Sequence, residues 1–205
     1  MKKTIVALTL AAASTFALAQ NSGFYAGGGV GISTTQFKGA DFSFGIAAIS
    51  ESKDRSVFGW KAFGGYNFNQ NWAVESGYSD LGAPKYKYAG TGALTGWLGQ
   101  AKADQTALYV AGKGTHPVNN EFNLFIKLGL TANHLKTSLD SNIPGVNGSW
   151  SKTRTEVLYG LGAEYVPVRN VGVRLEWENY GRFGSTDSTG RTTADLWTLG
   201  VNYKF

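Results

Sequence analysis

The 205-residue chain sets 19 Lys and Arg against 14 Asp and Glu, for a net charge of +5, and has no cysteine. So mild a surplus, with no basic run, excludes a nucleic-acid binder, and the absence of thiols excludes a disulfide framework or a thiolate metal centre. Aromatic residues make up 14% of the chain, with 28 Gly and 4 Pro, and no apolar run reaches the ~20 residues of a membrane-spanning helix. A helical membrane protein is thereby excluded and a β-rich one is not.

The first element is a targeting segment. Lys2 and Lys3 precede an apolar run from Ile5 to Ala13, and Ala17-Leu18-Ala19 places small residues two apart, the three parts of a cleavable secretory signal. The run is too short for a membrane anchor. Residues 1–19 are therefore expected to be removed, leaving a single domain from Gln20 to Phe205.

Eight segments of period two follow. Phe24 to Ile32 sets Phe24, Ala26, Val30 and Ile32 against Tyr25 and three glycines. Gly27-Gly28-Gly29 is not a phosphate loop, since no helix and no P-loop lysine follow it; it suits close backbone packing. After a long polar connection, Thr34 to Arg55, with a short hairpin expected around Phe42 to Ile46, the second segment runs from Val57 to Phe68. It aligns Phe58, Trp60, Ala62, Tyr66 and Phe68 on one face, with Lys61 and Phe63 on the other. Asn69 to Asn71 form a turn, and the third segment, Trp72 to Ser79, sets Trp72, Val74 and Tyr78 against Ala73, Glu75 and Gly77. A second long connection, Asp80 to Ala103, leads to the fourth, Asp104 to Thr115, which turns back through His116 to Asn120. The fifth is the cleanest: Phe122, Leu124, Ile126, Leu128, Leu130 and Ala132 alternate with Asn123, Phe125, Lys127, Gly129, Thr131 and Asn133.

Past a third long connection, Leu135 to Lys152, the sixth segment directs Val157, Tyr159, Leu161, Ala163 and Tyr165 one way and Glu156, Gly160, Gly162 and Glu164 the other. Pro167 to Asn170 turn the chain into the seventh, where Val171, Val173, Leu175 and Trp177 oppose Arg174, Glu176 and Glu178. A fourth long connection, Gly181 to Thr193, opens the last segment, Asp195 to Phe205. There Trp197, Leu199, Val201, Tyr203 and Phe205 face away from Thr198, Gly200, Asn202 and Lys204. An apolar face that finishes in two rings suits a membrane interface.

Long and short connections alternate strictly. Eight half-apolar strands, three short turns and four long loops predict an all-β, eight-stranded antiparallel transmembrane up-and-down barrel. Its turns face the periplasm and its loops the cell exterior.

Ala62-Phe63-Gly64-Gly65-Tyr66 with Asn69, Glu75 with Gly77-Tyr78 and Leu81-Gly82, Glu164-Tyr165, Arg174-Leu175-Glu176 and the closing Leu199-Gly200-Val201-x-Tyr203-x-Phe205 resemble the transmembrane domain of the outer membrane protein A family. The opening Met1-Lys2-Lys3-Thr4 is similar too. The resemblance covers nearly all the strands and little of the loops. Longer members of that family continue into a peptidoglycan-binding domain, for which this sequence shows no counterpart, so a peptidoglycan role does not carry over.

Glu75, Lys113, Lys127, Glu164, Arg174 and Glu176 all fall on the lumen face of this pattern. An eight-stranded barrel has an interior that side chains fill, and unpaired buried charge is costly, so an ion-paired network plugging the lumen is expected. The resemblance matches Glu75, Lys113, Glu164 and Arg174 to the family's central network, in which re-pairing is associated with a gate; a static polar core is the other reading. It also likens the outward pattern Trp197, Leu199, Val201, Tyr203, Phe205 to the assembly signal read by the barrel-insertion machinery.

Three functions stand against one another. The first is a structural outer-membrane protein that supports membrane integrity and presents loops for adhesion or recognition, phage included. The second is a narrow gated pore, and the third a lipid-modifying enzyme. The third needs a histidine or serine poised beside an acid, and His116 and His134 lie at opposite ends of the pattern. No catalytic residue, metal ligand or cofactor is assigned. Partners expected are outer-membrane lipid and lipopolysaccharide, the barrel-assembly machinery and a loop ligand, with the protein a monomer in the outer membrane.

Overall fold

A computed structural model of the protein describes residues 22–37, 49–53, 56–90, 98–142, 147–185 and 190–205. The expected signal segment and the Phe42 to Ile46 hairpin lie outside them. Ten strands are described: β1 (Gly23–Phe37), β2 (Ile49–Lys53), β3 (Ser56–Asn67), β4 (Trp72–Asp80), β5 (Lys85–Gly90), β6 (Leu98–Pro117), β7 (Phe122–Ser141), β8 (Gly148–Val168), β9 (Val171–Ser185) and β10 (Gly190–Lys204). All pairings are antiparallel. Eight strands close a barrel in the order β1, β3, β4, β6, β7, β8, β9, β10, sealed where β1 meets β10 from Tyr25↔Lys204 to Phe37↔Thr192.

The pleat sorts the side chains as the alternation predicts. Val30, Ile32, Leu108, Val110, Ile126, Leu128, Leu130, Val157, Leu161, Leu175, Leu199 and Val201 all stand exposed on the outer wall. So much contiguous apolar surface has a lipid, not water, as its partner. Ring contacts border the belt at both ends. Near the short turns they join Phe24 to Tyr66, Phe122 to Tyr165 and Tyr203 to Phe205, with centroids 4.9, 4.7 and 5.3 Å apart. Toward the other end they join Trp60 to Tyr78 and Tyr159 to Trp177, at 5.6 and 5.8 Å. Such girdles place amphipathic rings at the two membrane surfaces.

The three turns hold residues 68–71, 118–121 and 169–170. Two are built alike: Asn69 Oδ1 accepts from Asn71 N and Trp72 N, and Asn119 Oδ1 accepts from Glu121 N and Phe122 N. Each asparagine closes its turn and starts the next strand.

At the opposite end the strands run past their expected limits. β6, β7 and β8 have 20, 20 and 21 residues, about twice the 9–11 that a tilted strand needs to cross a bilayer. Segments expected as loops are therefore partly strand: the outer end of β6 pairs with β5, and β5 with β2. The apolar alternation stops where lipid stops, whereas the backbone ladder continues wherever a neighbouring chain is alongside. His116 and Pro117, expected in a turn, finish β6, and Pro167 lies within β8.

Gly27 shows why β1 is glycine-rich on its inner face. A Cβ there would lie 2.4 Å from Val201 O and 2.6 Å from the ring of Phe63, so the missing side chain lets Phe63 cross the lumen.

Candidate functional site

Three layers fill the lumen. The exterior third joins an apolar cluster, Leu81, Leu135, Leu158, Phe183, Ala194 and Leu196, all at most 1% exposed, to a buried polar strip in which Thr35 Oγ1 donates to Gln105 Oε1 at 3.3 Å and Gln105 Nε2 donates to Thr192 Oγ1 at 3.5 Å. The middle third is ionic. The periplasmic third is an open chamber of about 590 Å³ ringed by the turns and by Lys113 and Glu164.

The ionic layer hangs on two strands that face each other across the barrel, β4 and β9. Glu75 of β4 accepts from Arg174 Nη1 of β9 at 3.0 Å, from Lys127 Nζ of β7 at 2.5 Å, and from the hydroxyls of Tyr25 and Tyr109 at 2.9 and 2.8 Å. Two residues further along β9, Glu176 pairs with Lys61 Nζ at 2.8 Å, with Arg174 Nη2 at 3.6 Å and with Lys127. Glu178 then accepts from Lys61 at 2.6 Å, Lys127 at 2.9 Å and the Tyr180 hydroxyl at 2.7 Å. Period two along β9 puts Arg174, Glu176 and Glu178 on one inward row, which is why three charges in five residues reach one cluster.

Oxygens of Glu75, Glu176 and Glu178 lie within 4.8 Å of one another. That spacing would suit a cation, and Lys127 Nζ, which reaches all three carboxylates, supplies it. Phe63 and Phe125 sandwich the Arg174 guanidinium, with centroids 4.5 and 4.6 Å from Cζ. The rings add cation–π attraction and exclude water, so the pairs act in a low dielectric.

The six lumen charges expected from sequence are all at most 2% exposed, and they divide between two places. Glu75, Lys127, Arg174 and Glu176 join the cluster. Lys113 and Glu164 make no direct ion pair with it, although their charges act on Glu75 and Arg174: Lys113 Nζ lies over Tyr25, 4.5 Å from the centroid, and Glu164 Oε1 is buried without a hydrogen-bond partner. Lys61 and Glu178 take their places, so three acids still meet three bases and the cluster is neutral. Both residues stand on the inward face in the alternation, but period two cannot say at what height along a tilted strand a charge meets its partner.

The other sequence candidates lie elsewhere. Trp197, Leu199, Val201, Tyr203 and Phe205 are all exposed on the lipid side of β10. His116 is at the periplasmic end of β6, and His134 is on the outer wall of β7, its Nδ1 2.9 Å from Thr153 Oγ1. Among the described residues neither forms an ion pair with an acid, as the base of a hydrolytic triad would.

A family model described as the OmpA-like transmembrane domain matches residues 19–205. Outer membrane protein A of Yersinia pseudotuberculosis is 28% identical over 212 residues, covering all of this chain and 56% of that protein. Outer membrane protein P5 of Haemophilus influenzae is 31% identical over 199 residues, covering 90% of this chain and 52% of that protein. The chain thus spans about half the length of these relatives. Neisserial surface protein A matches in fold, with a TM-score of 0.57 at 14% identity, over 91% of this chain and all of that one.

Proposed function

Because the chain belongs to the OmpA-like transmembrane domain family and is a protein of the cell outer membrane, we propose that it works as a closed structural barrel. In this reading it supports the integrity of the membrane, presents its exterior strands and loops for adhesion or recognition, and catalyses no reaction. Filling of the lumen carries the proposal. A conducting pore needs a continuous open path, and here a neutral ion cluster is covered on the exterior side by packed Leu81, Leu135, Leu158 and Leu196 together with the hydrogen-bonded Thr35, Gln105 and Thr192. A layer so packed, with its polar groups already hydrogen-bonded to one another, gives water neither room nor partners. An enzyme needs a poised nucleophile or base in a cleft, and the buried acids are all engaged with cations or withdrawn into the periplasmic chamber.

In the same reading residues 1–19 direct export and are cleaved, and the aromatic row of β10 is what the insertion machinery reads. Lipid and lipopolysaccharide surround the apolar belt, and a surface ligand meets β6 to β8 where they stand clear of the membrane.

The test is a deletion strain. Loss of the gene should raise sensitivity to detergent and to antibiotics too large for porins, and the wild-type protein should restore resistance. An Arg174→Ala, Lys61→Ala protein that reaches the membrane in normal amount should restore it equally, since a scaffold needs no lumen chemistry. Full barrier function in the deletion strain would contradict the structural role.

A further inference from the structure

Above the membrane the barrel wall opens between β8 and β9. Their ladder reaches no further out than Tyr159↔Asn179, yet β8 runs on to Gly148, paired with β7 as far as Leu139↔Gly148. β9 departs because its backbone bends at Gly181 and Gly184, which have φ of 68° and 75°. Beyond the first bend it leans across the lumen, where Asn133 Nδ2 of β7 donates to Tyr180 O and Arg182 O at 2.5 and 3.0 Å and Phe183 is buried. Among the described residues, then, residues 148–155 of β8 have a strand on one side only. Such an edge holds a row of N–H and C=O groups ready to pair with another chain.

The edge is open to a partner. Residues 149–153 are all exposed, and the stretch 148–155 carries no proline and keeps an unbroken register with β7. Its guards are charges, which select as well as repel. Arg154 is paired with Glu156, whereas Lys152 is exposed and meets no carboxylate among the described residues. Trp150 shares the face of Lys152 and is 46% exposed, its indole laid along Gly148, where a Cβ would come within 2.4 Å of the ring. On the opposite face Ser149, Ser151, Thr153 and Thr155 form a hydroxyl row.

We propose that this edge takes up an extended segment of another protein as an added antiparallel strand. The segment carries an acidic residue opposite Lys152 and, next but one toward its C-terminus, an apolar residue opposite Trp150. Such uptake rests on the recognition role proposed above and gives it a class of partner. Main-chain hydrogen bonds supply the affinity and alternate side chains the selectivity. Antiparallel pairing is the more stable per residue, and serine or threonine suits the positions that face the hydroxyl row. A second copy of the chain is not the occupant. Two barrels in one membrane carry β8 in the same direction, so their edges cannot meet antiparallel, and a parallel match in register brings Lys152 toward Lys152.

The test uses the barrel refolded in detergent micelles and the peptide Thr-Thr-Thr-Glu-Thr-Val-Thr-Thr, followed by amide chemical shifts and hydrogen exchange. Saturable shifts centred on residues 148–155 are expected, with every second amide of that stretch gaining protection. Trp150→Ser should weaken binding about fivefold. Lys152→Glu should weaken it about tenfold and should instead take up the peptide with lysine in place of glutamate, a reversal that loss of fold cannot produce. Lys85→Gln, on β5, should change nothing. Heat-sensitive gel mobility shows that each variant is folded. Absence of saturable shifts would overturn the proposal. So would binding that survives N-methylation of both alternate sets of peptide amides, tried separately, or a folded Lys152→Glu barrel that keeps the wild-type preference. Because binding is read on the purified barrel and barrier function in the deletion strain, failure here removes this site and leaves the structural role standing.

Discussion

Arg174 has its guanidinium between two phenylalanine rings and its charge divided between Glu75 and Glu176. Replacing it with Ala leaves those carboxylates short of a cation in a dry interior, and breaking a buried pair in this way costs about 3–5 kcal/mol. Replacing Glu75 as well should recover part of that loss. Urea unfolding in lipid vesicles across the double-mutant cycle should give a coupling of about 0.5–3 kcal/mol, as for residues in contact; strict additivity would mean that the two do not meet. Lys61 supplies a sharper contrast. Lys61→Met leaves Glu176 and Glu178 to share Lys127 and Arg174 with Glu75, three acids on two bases, whereas Lys113→Met removes a charge that makes no direct ion pair, so the first should lower the urea midpoint more than the second. At this scale the sequence was legible in part. Parity sent every lumen charge inward, Lys61 and Glu178 included, but the choice of partners depended on shear and on which strands face each other, and neither is written in a period of two.

On the scale of a strand, β7 carries the belt most plainly. Leu128, paired with Gly112 and Tyr159 on its two neighbours, is exposed on the outer wall between apolar residues. Leu128→Arg should lower stability in vesicles by about 2–4 kcal/mol, the cost of a charge near the bilayer midplane. Ser151→Arg, on the part of β8 that stands clear of the membrane, should be nearly neutral, and similar costs at both sites would contradict the assigned face. Thr131→Arg acts by crowding instead, because Thr131 is buried and donates to Asn133 Oδ1 at 2.8 Å. The end of β10 concerns assembly rather than stability. Deleting Phe205 removes the ring packed 5.3 Å from Tyr203, and outer-membrane yield should fall while protein accumulates in the periplasm; unchanged cell fractionation would refute that role. Element boundaries were readable to within about two residues on the periplasmic side, where asparagine turns punctuate the chain but His116, Pro117 and Pro167 still belong to strands. They were not readable on the exterior side, where polar sequence continues as paired strand.

For the molecule as a whole, the alternation of long and short connections carried the architecture, because only an even-stranded barrel crossing a membrane requires every second link to be short. That rhythm could not show how the lumen is divided. The apolar cap comes from residues such as Leu81, Leu135 and Leu158, set in or beside segments that read as loop or strand end, and it forms only when β4, β7, β8, β9 and β10 converge. In the proposed reading the barrel is closed twice over, by a neutral ion cluster and by the packed, largely apolar layer outside it. Rearranging the ion pairs alone should therefore not open it. Single-channel recording in planar bilayers tests this directly, with the wild-type barrel and Arg174→Ala side by side. Both should show no conductance above the bare membrane, and openings should appear only when the apolar layer is also breached, as in Arg174→Ala combined with Leu158→Ser and Leu196→Ser. Discrete channel openings in the wild type, or in Arg174→Ala with the apolar layer intact, would contradict the closed-barrel account.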